Sequence, residues 1–360
     1  MCNVTGKTSG RGSIFCILPP HILISISKHG TAKQRAQAVD VLSVDHSFRQ
    51  FRATVAAAAK GQQGIASPLS VSPPTKHRTI YDAKHLQQLP GTVVRAEGSP
   101  PSADVGVNEA YDGLGATFDF YLNNFHRNSI DDAGMQLFAS VHYGSNYDNA
   151  FWNSQQMVFG DGDIKLFNRF TISLDVIGHE LTHGVTEHTA ALAYSGQSGA
   201  LNESISDVFG SLIKQFKKNQ TAASADWLIG AGLLAPGVKG VALRSMKAPG
   251  TAYDDPVLGK DPQPASMSGY VNTASDNGGV HINSGIPNRA FYLAAKKIGG
   301  HAWEKAGRIW YETLLDPKLK SNASFQSFAK LTVATAGKLY GATKPQAKAV
   351  AGAWHQVGVL

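Results

Sequence analysis

His179-Glu180-Leu181-Thr182-His183 places two imidazoles and one carboxylate within five residues. On a helix the two histidines lie one turn apart on one face, so both rings can reach a single metal ion. Glu180 sits about 100° further round, close enough to work on a water at that ion without being a ligand. This arrangement suits metal-assisted hydrolysis. The five residues alone are only moderately specific, since a long helix can contain them by chance.

The elements that must hold these groups are legible nearby. Residues 170–178 carry apolar side chains at helical spacing, with Ser173 as an N-cap candidate. The spacing predicts a mostly apolar, buried helix from about 174 to about 188. Buried histidines need partners, and metal ligation supplies them. A catalytic zinc takes three protein ligands and keeps one position open. Residues 199–210 also read as a helix, with Glu203 and Asp207 four apart on one face. Glu203 is the candidate third ligand. Asp207, one turn on, can accept the free N–H of a ligand histidine and fix its tautomer. The competing reading is a solvated acidic face, against which the small and apolar flanking residues argue.

With these motifs in place, the chain from about 78 to 360 resembles the thermolysin family of neutral metallopeptidases. Nineteen residues separate His183 from Glu203, the family's spacing. The resemblance implies one zinc ion held by His179, His183 and Glu203, with Asp207 behind a ligand histidine. Asn149-Ala150-Phe151-Trp152 is similar to the family's edge strand, so Asn149 and the backbone of Ala150 are expected to hold the peptide as an added strand. Tyr194 falls where the family has a tyrosine that hydrogen-bonds the tetrahedral intermediate. Asp276-Asn277-Gly278-Gly279-Val280-His281 matches the segment whose histidine stabilises the oxyanion and whose aspartate orients it. Arg244 matches an arginine that binds the substrate carbonyl on the leaving-group side. Taken singly, His281, Tyr194 and Arg244 are ordinary residues; their joint order and spacing carry the assignment. The pair Gly278-Gly279 by itself reads only as a turn or a close backbone approach.

The implied reaction is peptide hydrolysis, with Glu180 as general base and Tyr194 and His281 sharing the oxyanion charge. The implied pocket for the residue after the scissile bond is lined by Phe167, Phe170, Val176, Ile229, Leu233 and Leu243, all apolar. Cleavage before hydrophobic residues is therefore expected. Phe170 and Leu233 are larger than is common in the family, which points to a shallower pocket favouring Leu or Val. The implied fold is α+β, in two subdomains. A β-rich half at 78–194 includes the zinc helix, and an α-helical half spans 195–360, with the zinc helix at the cleft floor. Competing activities are a zinc aminopeptidase, whose Gly-Ala-Met-Glu-Asn run is absent, and a non-catalytic zinc-binding relative. The latter would lack Glu180, Tyr194 or His281, and all three are present.

The calcium sites depart from the family. Asp175 and Asp226 stand at double-site positions, but Lys214, Leu228, Ala231 and Val241 replace acids. Lys214 is expected to pair with Asp175 and Asp226, leaving few or no structural calcium ions.

Composition bounds the rest. At 360 residues there is room for two or three domains, and a hydrophobic content of 42% supports sizeable cores. The net charge is +7, but residues 1–52 hold seven Lys or Arg against two Asp or Glu. The basic excess is thus mostly N-terminal rather than a groove, which argues against a nucleic-acid partner. No run of about 18 apolar residues marks a membrane span. The short apolar run Ile14-Phe15-Cys16-Ile17-Leu18 is followed by Pro19-Pro20-His21, which argues against a signal-peptide core. It resembles the short propeptide of the protealysin-like branch. Residues 1–52 are accordingly expected to be a propeptide and intramolecular inhibitor, and 53–77 a linker, with processing somewhere in 48–77. Both cysteines, Cys2 and Cys16, lie in this segment, so the mature enzyme has no disulfide. Cys16 is either a small apolar residue beside Pro19 or a thiol that reaches the zinc. Protein and peptide substrates, a monomer, and secretion by a non-classical route are the remaining expectations, with a cytoplasmic precursor as the alternative. Strands are expected at 79–81, 91–95 and 157–160. Helices are expected at 104–123, 201–218, 286–298, 302–315, 324–340 and 344–357, with 31–59 helix-compatible.

Overall fold

The computed structural model describes residues 15–43 and 74–360. Cys2, the expected helix beyond 43 and most of the expected linker lie outside the described residues. Strand β1 (Phe15–Cys16) and helix α1 (Pro20–His29) form the N-terminal segment, followed by a helical stretch at 32–43. Pro20 opens α1, a position where its missing N–H costs nothing.

Strands β2 (Arg78–Asp82), β3 (Thr92–Ala96), β4 (Leu137–Val141), β5 (Ala150–Trp152) and β6 (Gln156–Phe159) join β1 in one six-stranded sheet. The strand order is β1-β5-β6-β4-β2-β3. β2, β4 and β6 are mutually parallel, whereas β3, β5 and β1 are antiparallel to their neighbours. The expected strands are therefore present, shifted by a residue or so. β5 is not an outer strand, because β1 covers it. Helix α2 (Val105–Phe125) packs on β2 and β4. It begins where Asp104 accepts from the amides of Gly106, at 2.7 Å, and Val107, at 3.3 Å.

The motif lies on α3 (Leu174–Glu187), where residues 175–186 are all buried. An all-round buried helix is a core element, as its sequence requires. Ser173 occupies the N-cap position, but its hydroxyl donates to Asp175 at 2.5 Å and caps no backbone amide. The acidic neighbour outcompetes the helix end. Helix α4 (Gly196–Lys217) packs along α3. Two glycines set that approach. A Cβ on Gly210 would stand 2.3 Å from the Asp175 carbonyl oxygen, and one on Gly178 would stand 2.7 Å from Ile213. Only glycine lets the backbones come this close, and the closeness puts the α4 carboxylates against the α3 histidines.

Strands β7 (Leu228–Ile229) and β8 (Arg244–Ser245) form a short antiparallel pair beyond α4. The remainder is mostly helical: α5 (Asp276–Asn283), α6 (Gly285–Ile298), α7 (Arg308–Leu315), α8 (Phe325–Tyr340) and α9 (Pro345–Gln356). The expected helix at 302–315 starts instead as one π-helical turn, Trp303–Gly307. Trp310 and Trp354 stack with ring centroids 6.1 Å apart and tie α7 to α9. The chain is thus α+β, with a sheet-bearing N-terminal half and a helical C-terminal half. No helix among the described residues is long and apolar enough to cross a membrane.

Candidate active site

Helices α3 and α4 bring the expected metal ligands together. The Nε2 atoms of His179 and His183 face each other at 3.0 Å. The Glu203 carboxylate lies 3.5 Å from the first and 3.6 Å from the second. All three side chains are buried, and their ligand atoms converge on one point. The far nitrogens explain how these atoms share it. His179 Nδ1 is 2.8 Å from Asp207 Oδ1, and His183 Nδ1 is 2.8 Å from Asn202 Oδ1. Both oxygens are acceptors, so the protons sit on Nδ1 and the Nε2 lone pairs point inward. Glu203 Oε2 is buried and has no hydrogen-bond partner among the described residues. A cation there would satisfy it, and two imidazoles with one carboxylate are a zinc donor set. Burial and the neighbouring His179 hold the His183 pKa well below its usual value, which favours the neutral ligand form.

Behind the histidines, Asp207 is fully buried and accepts from Arg244 Nε and Nη2, each at 2.8 Å, and from Asn288 Nδ2 at 2.8 Å. Burial pushes its pKa up, but Arg244 and His179 outweigh it and hold the carboxyl well below the usual range. Glu180 is also buried, and its Oε2 accepts from the Trp152 amide at 3.1 Å.

Tyr194 and His281 flank the same point from other elements. The Tyr194 hydroxyl donates to Glu203 Oε1 and lies 3.3 Å from His281 Nε2. Asp276 accepts from the His281 backbone amide at 2.9 Å and lies 2.7 Å from its Nδ1. The chain turns back sharply enough for this because Asp276, Asn277, Gly278 and Gly279 all have positive φ, from 49° to 87°. The two glycines take that conformation without penalty, as the expected turn requires.

The six expected pocket residues, Phe167, Phe170, Val176, Ile229, Leu233 and Leu243, are all buried. The Phe167 and Phe170 rings lie 6.0 Å apart. Leu233 and Leu243 crowd the same face of Gly230, and the Leu243 amide donates to the Ile229 carbonyl at 3.0 Å.

Residues 70–187 match the family described as thermolysin metallopeptidase, catalytic domain, and residues 190–359 match its alpha-helical domain. The chain belongs to the thermolysin metallopeptidase family. It is similar to an extracellular metalloprotease of Pectobacterium carotovorum subsp. carotovorum, at 54% identity over 96% of each chain. It is 51% identical to protease PrtS of Photorhabdus sp. (strain Az29), over 95% of this chain and 91% of that one. The solved precursor of protealysin, a metalloproteinase from Serratia proteamaculans, superposes with a TM-score of 0.87 at 55% identity. That match covers 96% of this chain and 100% of that one. This thermolysin-family protein is a zinc metalloendopeptidase.

In this family member, the N-terminal segment lies inside the cleft. β1 pairs antiparallel with β5, Cys16 opposite Phe151. The Ile17 amide then donates to the Ala150 carbonyl at 3.1 Å, and the Leu18 amide to Asn149 Oδ1 at 3.0 Å. Arg244 Nη1 donates to the Ile17 carbonyl at 3.1 Å, and His281 Nε2 lies 3.2 Å from the Cys16 carbonyl oxygen. Thus Asn149, Ala150, Arg244 and His281 all meet one extended backbone. Cys16 is buried.

Several contributors escaped the sequence reading: the Trp152 amide at Glu180, Asn202 and Ser206 at His183, and Asn288 at Asp207. Asn202 and Ser206 adjoin Glu203 and Asp207 on one helix and carried a detectable signal. Asn288 and a backbone amide carried none. Lys214 Nζ, expected to pair with Asp175 and Asp226, lies 2.7 Å from Asp175, 2.9 Å from Asp226 and 2.7 Å from the Leu228 carbonyl. Burial opposes the ammonium charge, but the two carboxylates outweigh it and raise the Lys214 pKa.

Proposed function

We propose that this chain is a zymogen, a neutral endopeptidase that cleaves before hydrophobic residues once its N-terminal segment leaves the cleft. Residues 1–52 are its propeptide, 53–77 the processing region, and 78–194 and 195–360 the two halves of the mature enzyme. His179, His183 and Glu203 hold one zinc ion, which supplies Lewis acidity and an acidified water. Glu180 takes a proton from the attacking water and passes it to the departing amine. Tyr194 and His281 donate to the peptide carbonyl oxygen as it gains charge, and Asp276 keeps the His281 ring in place. Asn149, Ala150 and Arg244 hold the substrate backbone as an added strand.

The observation that carries this reading is the path of residues 15–18 through the cleft. Their backbone engages Asn149, Ala150 and Arg244, with the Cys16 carbonyl at His281 and chain on both sides of it. A site that admits chain on both sides suits an endopeptidase rather than an aminopeptidase. A substrate-like segment anchored by Pro20 and α1 also suits an intramolecular inhibitor. Casein hydrolysis by the intact and processed chains tests both points. The processed form should hydrolyse casein, stop with a zinc chelator and resume with zinc, while the intact chain stays nearly silent. Equal activity of both forms would reject the zymogen. Peptide-library profiling should show Leu or Val after the cleaved bond, and an acidic preference there would reject the pocket assignment. Activity in the culture medium rather than in washed cells would support an extracellular role like that named for the Pectobacterium relative.

We also assign the Lys214 ammonium the place of a structural calcium ion. Melting temperature should then not respond to calcium added after chelation and zinc repletion. Lys214→Met should lower stability by about 3 kcal/mol, since it strands the buried Asp175 carboxylate. A calcium-dependent rise in the wild-type melting temperature would overturn the assignment.

A further inference from the structure

We infer that docking of the N-terminal segment is acid-labile, with His21 as the group whose protonation loosens it. The inference rests on the reading that this segment is a docked propeptide.

His21 is the second residue of α1, directly after the stretch that fills the cleft. Its Nε2 lies 2.9 Å from the Tyr253 hydroxyl, a bond that ties the start of α1 to the catalytic part of the chain, as Ser25 Oγ, which donates to the Val257 carbonyl at 2.8 Å, ties its middle. Its Nδ1 is buried and has no partner among the described residues. A neutral imidazole tolerates this, but an imidazolium would bury an N–H with no acceptor. The surrounding charges act in both directions. Arg244 and His281 both oppose a positive His21. Asp276 favours it, but that carboxylate is already engaged by His281 at 2.7 Å and 2.9 Å. Asp261 acts on Tyr253, whose pKa is raised by burial and then by Asp261. On α1 itself, Lys28 and His29 sit at the far end, and the helix N-terminus at His21 also disfavours a cation.

Burial is the main cause that lowers the docked His21 pKa from 6.5 to about 4; Asp276 opposes the shift, and His281 and Arg244 add to it. A released segment regains the ordinary value. The sign follows directly: docking is undisturbed above the released pKa and weakens as pH falls below it. Linkage between pKa values of 6.5 and about 4 gives about a thirtyfold loss of docking at pH 5.

The test is amide hydrogen exchange on the intact chain carrying Glu180→Ala, which cannot process itself. The readout is protection of the Ile17 and Leu18 amides, corrected for intrinsic rates, at pH 7.5 and pH 5. Protection should fall about thirtyfold in this chain and less than about threefold when His21→Gln is added, because Gln keeps a hydrogen-bonding group without a titrating charge. Amides of α2 report on global stability and should stay protected. An equal fall in both chains, no fall in either, or a fall shared by α2 would overturn the inference. The readout is docking rather than activity. A pH-independent segment that still silences casein hydrolysis would therefore reject the acid trigger and leave the zymogen reading intact.

Discussion

Glu180→Ala should retain its zinc and lose turnover by about a hundredfold to ten-thousandfold, the usual worth of a positioned general base. The carboxylate is fully buried on α3, between the two ligand histidines in sequence, and touches the edge of the cleft through the Trp152 amide. It is not part of the converging group formed by His179, His183 and Glu203. Its removal therefore leaves every ligand, and the hydrogen bonds with Asp207, Asn202 and Ser206 that support the two histidines, in place. What is lost is the carboxylate proposed to move a proton between water and amine. Metal content by elemental analysis and casein turnover of the processed variant separate the two effects. A variant with near-normal turnover, or one that loses zinc along with activity, would remove Glu180 from this role.

Asp207→Ala should cost about 3–5 kcal/mol of stability and weaken zinc binding by about tenfold to a hundredfold. Asp207 works through its neighbours His179, Arg244 and Asn288. Its two oxygens neutralise Arg244, which is itself only 2% exposed, and one of them fixes the His179 tautomer. Removing it leaves a buried guanidinium without its hydrogen-bonded counter-charge, with only the more weakly acting Glu203 and Glu180 nearby, and burying a poorly paired charge is far costlier than losing a surface pair. Arg244 would then move or draw in water, and the carbonyl of a bound peptide would lose its donor. Asp207→Asn keeps an acceptor for His179 but not the charge, so it should recover zinc affinity more than stability. Denaturant midpoints and competition for zinc measure the two losses. An unchanged midpoint in Asp207→Ala would show that Arg244 finds other compensation.

Much of the site was legible because its parts are local. His179, Glu180 and His183 share one helical turn, and Glu203 with Asp207 share another, so their spacing states which atoms face together. The turn before His281 announced itself through Gly278-Gly279, and its positive φ values follow. Strands and helices with clear periodicity fell within a few residues of their expected places. The errors came where tertiary contacts override local preference. Ser173 turns from its helix to Asp175, and residues 303–307 widen into a π turn. Helix α4 begins at Gly196, ahead of the expected 201, even though glycine is a poor helix former.

The sequence by itself determined the family and the zinc donor set, and it supplied the residues proposed as general base and oxyanion donors. Each of these is a residue type at a fixed distance along one or two helices or one turn. Only the tertiary structure decided what those groups hold. Nothing in the spacing of Phe15 to Leu18 says that this stretch pairs with β5, that Arg244 takes the Ile17 carbonyl, or that His21 meets Tyr253. Those contacts join residues more than a hundred positions apart. Strand pairing of this kind is set by backbone hydrogen bonds and by which sheet edge is left open, and side-chain identity encodes it only weakly. The two glycines, Gly178 and Gly210, stand between these cases. They are visible in the sequence, but their purpose, bringing one helix close enough to another to assemble a metal site, appears only when the helices are packed.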